Sequence, residues 1–394
     1  MTANRPPRPT SDDRQLQLWK LGRALTLAFI AAVLVASCVF YSLVYLLDFQ
    51  EIDTTKTLDA KILFDLLKVS FGVVAGAGAL VALVVAYRRQ RVDEAGAHRE
   101  ATRLHTERFS QAVEQLGSDS PAIQLGGVHA LAGLADDAPN DSLRQTCIDV
   151  LCAYLQLPFT PDPGGDSAHQ DQHHRYLALR KVRHTILRLI GDHYRRPQGA
   201  HRSWQGCDLD LTGVTIDGFM DFSGATFSGG TVSFFKATFS DATVNFSGAT
   251  FSGGTVSFSD ATFSDSSVRF VNATFSDGTV YFGNARFSGG GVSFYHAMFV
   301  GSRVAFDSAT FSRNPMSLDG PVPFLGALFS GGIVSFTGTT FASQTVSFLG
   351  SHFRTCTVTF HDAVGPVPHG LLASIGTPVP PTITLPPSWL TPTP

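Results

Sequence analysis

The side chains most able to do chemistry together are His169, His173 and His174, flanked by Asp166 and Asp171. A His-x-x-x-His pair on one helical turn can hold a zinc ion. This stretch, however, lies in a Gly- and Pro-flanked loop running into a helix start, which favours solvated side chains over a metal site. A second cluster is basic. Arg175, Arg180, Lys181, Arg183, Arg188, Arg195, Arg196 and Arg202 stand against a single acid, Asp192. Arg180, Lys181, Arg183 and Arg188 are the candidates for contact with anionic lipid head groups, and a solvated helix face is the equal alternative. Nucleic acid fits less well, because the cations are not interleaved with aromatic residues. Five cysteines (Cys38, Cys147, Cys152, Cys207 and Cys356) are scattered, odd in number and never spaced Cys-x-x-Cys, which favours a reducing compartment. There is no Gly-x-Ser-x-Gly elbow, no His-Glu-x-x-His and no phosphate-binding Gly-rich loop after a strand. An enzyme is the least supported class, and no catalytic, cofactor or metal residue is assigned.

The elements that would carry these residues begin in a membrane. Residues 1–23 are polar and turn basic at Arg14, Lys20 and Arg23. Residues 24–47 contain no charge and are long enough to span a bilayer. A short outer loop, 48–61, leads to a second span, 62–87, followed by Arg88, Arg89 and Arg91. Lys and Arg lie outside both outer ends, so the positive-inside rule places both termini in the cytoplasm of a bacterial cell, with a multi-pass hairpin in its inner membrane. Gly72 and Gly76 would let the two spans pack closely. Val35-Ala-Ser-Cys38 could instead be read as a lipoprotein signal, but Val39 to Leu47 stays apolar where such signals turn polar.

Residues 92–196 show helical periodicity and predict a small cytoplasmic domain of packed helix pairs, HEAT- or armadillo-like. Phe109, Ala112, Val113 and Leu116 share one face of the first helix. Gly117-Ser-Asp-Ser stops it, and Pro121 begins a second helix running to about Ala135. Asn140 caps a third, through Leu155, and a fourth runs from about Tyr176 to Tyr194.

From 204 to 360 the chain is a repeat of 12 residues, Phe-x-x-Ala-x-Phe-Ser-x-x-Thr-Val-x. Its inward ladder is Leu211, Ile216, Phe222, Phe227, Phe234, Phe239, Phe246, Phe251, Phe258, Phe263, Phe270, Phe275, Phe282 and Phe287, continuing to Phe311. The steps alternate between five and seven, with Ala or Val two residues before most of these Phe. Ala-Thr-Phe and Val-Ser-Phe are therefore short strands with two side chains in and one out, and the Ser-Gly and Gly-Gly steps between them are turns. One coil is read as two units, about 24 residues, since two Phe ranks would not fit inside a 12-residue coil. Counting back puts Trp204 in a Phe site, with a one-residue slip before Phe222. Counting forward puts Leu318 in one, with an extra side or bulge between Arg313 and Phe324. The tail, 361–394, is rich in Pro and Thr; it is extended or disordered, except where Ile383-Thr-Leu or Trp389-Leu covers the open end.

Phe222-Ser-Gly-Ala225-Thr-Phe227 resembles the pentapeptide-repeat family, whose coils centre a Leu or Phe on each five-residue face with Ala two positions earlier. The segments from Glu107 to Ser118 and from Leu125 to Leu131 resemble the helices that precede such repeats in membrane-anchored, actinomycete-type proteins. The resemblance implies a right-handed, four-sided β-helix. The whole is then multi-domain: two transmembrane helices, a small α-helical domain and an all-β solenoid. Its expected role is a non-enzymatic scaffold presenting a rigid surface to an unidentified protein partner, with homo-oligomers open and no cofactor. One alternative, also from the family, is a DNA mimic that binds a topoisomerase. Ten Asp against six Lys or Arg between 204 and 360 are too dilute to imitate one charge per ~1.7 Å of axis. Asp208, Asp210, Asp217 and Asp221 do cluster at the first coil. The other alternative is a solenoid exported to the cell surface.

Overall fold

The computed structural model describes residues 60–160, 162–166, 169–288, 291–312, 323–342 and 346–390, with helical residues scattered between 30 and 45. The chain divides into two compact units, Met1–Glu100 and Ala101–Pro394. In the first unit most of the expected span 24–47 and nearly all of the loop 48–61 lie outside the described residues. Val33–Ser42 is a short apolar helix. Val33, Ser37 and Phe40 line a groove of about 350 Å³ with Leu67, Ser70 and Phe71. Helix α1, Ala60–Leu116, runs 57 residues without a break, so the second apolar run and the first helix expected after it are one element. Among the described residues it is the one helix long and apolar enough to cross a membrane, with mean hydropathy 2.4 over its most apolar window. In its first half Ser70 is buried, whereas Gly72 and Gly76 face open space.

The second unit begins with the end of α1 and three further helices: α2 Pro121–Asp136, α3 Asp141–Gln156 and α4 Gln170–Tyr194. Asn140 caps α3 by accepting from the Leu143 N–H at 2.9 Å. Ser120 does not cap α2 with its side chain; Pro121 supplies the start, since it has no N–H to satisfy. Gly127 lets α2 cross the end of α1, because a Cβ there would stand 2.8 Å from the Ala112 carbonyl oxygen.

Short parallel strands then stack into a β-solenoid of about seven coils. Register sets the coil length: Thr250 pairs with Thr274, Val256 with Val280, Phe263 with Phe287 and Val244 with Val268, each 24 residues on. Four strand positions therefore recur in each coil. Strands in register bring identical residues one above another at ~4.8 Å, so the phenylalanines form columns. Phe246–Phe270, Phe251–Phe275, Phe258–Phe282 and Phe263–Phe287 lie at 4.9, 4.8, 5.0 and 4.9 Å with rings within 8° of parallel. Rings of different columns meet edge-on, as Phe258 and Phe270 do at 86°, or tilted, as Phe258 and Phe263 do at 46°, arrangements that suit the ring quadrupoles. Every ladder residue from Leu211 to Phe287 is buried. At the turns Gly230 has φ of +67°, and a Cβ on it would stand 2.6 Å from the Cys207 carbonyl oxygen of the coil below. Glycine is required there both for the left-handed backbone and for the closeness of the stack.

Two irregularities interrupt the period. Strand Thr215–Asp221 pairs with Thr238–Asn245, and the register shifts by one residue between Asp217 and Gly218, which places the slip. Farther on, Val304 pairs with Val334 and Phe311 with Phe341, 30 residues apart instead of 24. Six extra residues are thus accommodated between Phe311 and Phe324, where residues 313–322 lie outside the described set. Phe324 stacks on Phe294 at 4.9 Å and holds the column position that counting gave to Leu318. The column passes the insertion unbroken.

The C-terminal end is closed by the tail. Ile383–Thr384 adds a last parallel strand beyond Thr357–Thr359, and two short helices follow the coil, α5 Leu371–Ile375 and α6 Pro387–Leu390. Trp389 lies over Phe341 and Phe360, with centroids at 5.9 and 5.6 Å, and its indole N–H donates to the Gly365 carbonyl oxygen at 2.9 Å.

Candidate interaction surfaces

The polar side chains of the second unit concentrate where α4 meets the first coils. Asp217 stands at the register shift, where the backbone turns its carboxylate outward to the helix. It accepts from the Tyr176 hydroxyl at 2.6 Å and from Arg180 Nε at 2.7 Å. His184 Nε2 donates to the Asp217 carbonyl oxygen at 2.6 Å and lies 3.2 Å from its Oδ1. Burial alone would raise the Asp217 carboxyl; the hydrogen bonds from His184, Tyr176 and Arg180 outweigh it and hold the group well below the usual carboxylate range. Burial and the bond to Asp217 push the Tyr176 phenol up to about 12. Arg183 is 5% exposed, donates to the Thr215 carbonyl oxygen at 3.1 Å and lies 4.7 Å from the centre of the Phe159 ring. Gly191 completes the dock: a Cβ on it would collide with the Asp221 carbonyl oxygen.

The basic cluster therefore divides. Arg180 and Arg183 are spent on the strand Thr215–Asp221, and Arg183 is too buried to face lipid. Lys181 and Arg188 remain exposed. They line a groove of about 380 Å³ with His184, Arg195 and Phe219, and Phe219 is 61% exposed. Arg188 and Arg195 both pair with Asp192, at 3.1 and 2.8 Å.

The acidic residues at the first coil are likewise engaged by helices. Asp208 exchanges two backbone hydrogen bonds with the Gln145 side chain, at 2.8 and 2.9 Å, and its carboxylate accepts from the Thr231 N–H at 2.6 Å. Gln156 donates to the Asp210 carbonyl oxygen at 3.0 Å, and Arg195 to that of Asp221 at 3.0 Å. These residues join the helical domain to the solenoid.

Trp204 does not occupy the ladder position that counting assigned to it. It stacks on His193 at 4.0 Å, and its indole N–H donates to Asp136 at 3.1 Å. The ring against Phe227 is Tyr194, the last residue of α4, at 5.1 Å. Its hydroxyl donates to the Cys207 carbonyl oxygen at 2.9 Å. The helix thus caps a Phe column with an aromatic of its own.

The histidines do not converge. His169 precedes the first turn of α4, and His173 Nδ1 lies 2.6 Å from Asp162. Among the described residues no three His, Cys, Asp or Glu side chains come together as a metal site. Burial pushes the thiols of Cys147 and Cys152 up to about 11 and about 12, so both are protonated and unreactive at neutral pH. Thr231, Thr255 and Thr279 pair in register on the outside of one sheet, and Thr226, Thr250 and Thr274 do so on another.

The model of the pentapeptide-repeat family, described as pentapeptide repeats (9 copies), matches residues 211–262 and 253–298. The solenoid belongs to the pentapeptide-repeat family. The pentapeptide match ends at residue 298, short of the insertion, although the coil continues to the Phe348–Phe360 columns. Searches of curated proteins and of solved structures returned no match to the chain.

Proposed function

We propose that this chain is a non-enzymatic scaffold of the bacterial inner membrane, in which a pentapeptide-repeat solenoid offers its outer surface to a protein partner. The observation that carries this reading is the division between inside and outside. The interior is filled by Phe columns and leaves no room for a substrate, while the outside repeats short polar side chains in register over successive coils. A rigid surface of that kind suits recognition. Its solenoid is four-sided, a reading supported by four strand positions per 24-residue coil, and right-handed, as the resemblance to pentapeptide repeats implies. Two spans, 24–47 and 62–87, anchor it with both termini in the cytoplasm; the apolar length of α1 and the groove it shares with Val33, Ser37 and Phe40 support this. Lys181 and Arg188, beside the exposed Phe219, are the two of the four candidate cations that stay available to anionic lipid.

The DNA-mimic reading is weakened at the first coil, where the Asp217 carboxylate is taken up by Tyr176 and Arg180 and that of Asp221 lies 3.8 Å from Arg195, while Asp208 and Asp210 meet Gln145 and Gln156 through their backbone. An exported solenoid stands or falls with topology. Fusing a cytoplasm-active and an exterior-active reporter after Pro394 separates the two: cytoplasmic signal is expected, and exterior signal overturns the anchoring.

A further inference from the structure

The outside of the solenoid changes character along one edge. The residue after every fourth Phe, one per coil, forms a corner row: Ser223, Ser247, Val271, Tyr295, Leu325 and Leu349. These corners are direct neighbours. Gly224 donates to the Ser247 carbonyl oxygen, Gly248 to that of Val271, Asn272 to Tyr295, His296 to Leu325 and Gly326 to Leu349, all between 2.8 and 3.1 Å. Two polar corners are thus followed by four apolar ones. The adjoining sheet changes with them: the outward row runs Thr250, Thr274, Met298, Leu328, His352 in register. Tyr295, Met298 and Leu349 are 37, 39 and 48% exposed. Monomeric proteins seldom leave a contiguous apolar strip of this kind uncovered.

We propose that the strip is covered by a second copy of this chain, packed antiparallel about a two-fold axis. This rests on the scaffold reading, in which the outside of the coil is the working surface. The strip is self-complementary about the gap between the coil of Tyr295 and Met298 and the coil of Leu325 and Leu328. A two-fold axis lying along the strands in that gap keeps each residue's place along the strand and reverses the order of coils. Tyr295 then meets Leu325 of the second copy, Met298 meets Leu328, and Val271 meets Leu349. The charges at the two ends of the strip fit the same operation. Asp277 follows Ser276, and Arg354 stands two rungs beyond Val300 on the row Ser276, Val300, Ser330, Arg354. Reversal brings Asp277 beside Arg354 twice per dimer, whereas parallel packing would set Arg354 against Arg354.

The test is the association of the full chain in detergent micelles, followed by sedimentation velocity. The wild type is expected to be dimeric at micromolar concentration, and Tyr295→Asp with Leu325→Asp, both outward, to be monomeric with unchanged far-UV circular dichroism. Asp277→Arg and Arg354→Asp are each expected to weaken the dimer by about five-fold, as two exposed ion pairs would, and their combination to restore it. A monomeric wild type overturns the proposal, as does a dimer indifferent to these substitutions, or one that the double charge reversal weakens further. A monomer whose Met298→Cys spin label reports bilayer depth in a nanodisc makes lipid the occupant and also overturns it. None of these outcomes alters the topology reporters, so failure here is distinct from failure of the anchoring.

Discussion

The two ends of the solenoid are closed by different physics. At the first coil, α4 brings Tyr176, Arg180 and His184 onto Asp217 and sets Tyr194 on the Phe column. At the last coil, Trp389 covers Phe341 and Phe360 and makes one hydrogen bond to Gly365. Both ends satisfy the same need, since an uncovered coil exposes unpaired strand edges and apolar rings. Only the first must also fix the position of another domain. Apolar cover is non-directional, whereas a shared carboxylate with three donors admits one placement of the helix. The lesson is that side-chain polar contacts are concentrated where orientation matters and fewer where cover suffices.

The largest expected effect separates the ends by location. Trp389→Ala removes a nearly buried indole and is expected to cost about 3–5 kcal/mol of local stability; hydrogen exchange should rise in 341–390 and leave α4 unchanged. Asp217→Ala leaves Tyr176 and Arg180 without their acceptor, His184 keeping the backbone carbonyl oxygen, and is expected to cost about 3 kcal/mol, with faster exchange in α4 and in 215–221. Equal exchange changes at both ends in either variant would mean that the coils open as one unit and that the comparison fails.

Acid sharpens the contrast. The Asp217 carboxyl is held below its unfolded value of about 3.9. Its contribution is therefore complete above that value and is lost as pH falls through and below it. Melting of the full chain should show the first coil loosening between about pH 4 and pH 2, an effect that Asp217→Asn reduces, leaving the smaller part due to Asp210, and Trp389→Ala retains. The smallest effect is expected on the outside: Thr255→Val should change stability by no more than about 0.5 kcal/mol, read from the same melts.

Much of this was legible in the sequence because inward residues of a solenoid repeat with the coil. Phe222 to Phe311 announce the ladder, and the Ala or Val two positions earlier announces the strands. Contacts made once were not legible. Nothing near Asp217 in sequence reveals Tyr176 or Arg180, which reach it from another element. Tyr194 could have been suspected, as an aromatic at the end of the helix that precedes the coil, but Trp204 lay on the counted rhythm and took its place. The apolar corner row was hidden for a different reason: its 24-residue period is broken between Tyr295 and Leu325 by the same six extra residues that put Phe324 in the next column position. The break between the second span and the helical domain was drawn from composition, and α1 ignores it because Arg88 to Glu100 are good helix formers.

The account holds that the outside of the solenoid, and nothing inside it, is the working part. The most direct measurement is in-cell photo-cross-linking from single outward positions, Thr255 on the polar face and Met298 on the apolar strip. The account predicts discrete protein adducts from outward positions, with those from Met298 including a second copy of the chain. Absence of any adduct from outward positions along the whole coil, in cells where the chain is folded and abundant, would contradict it.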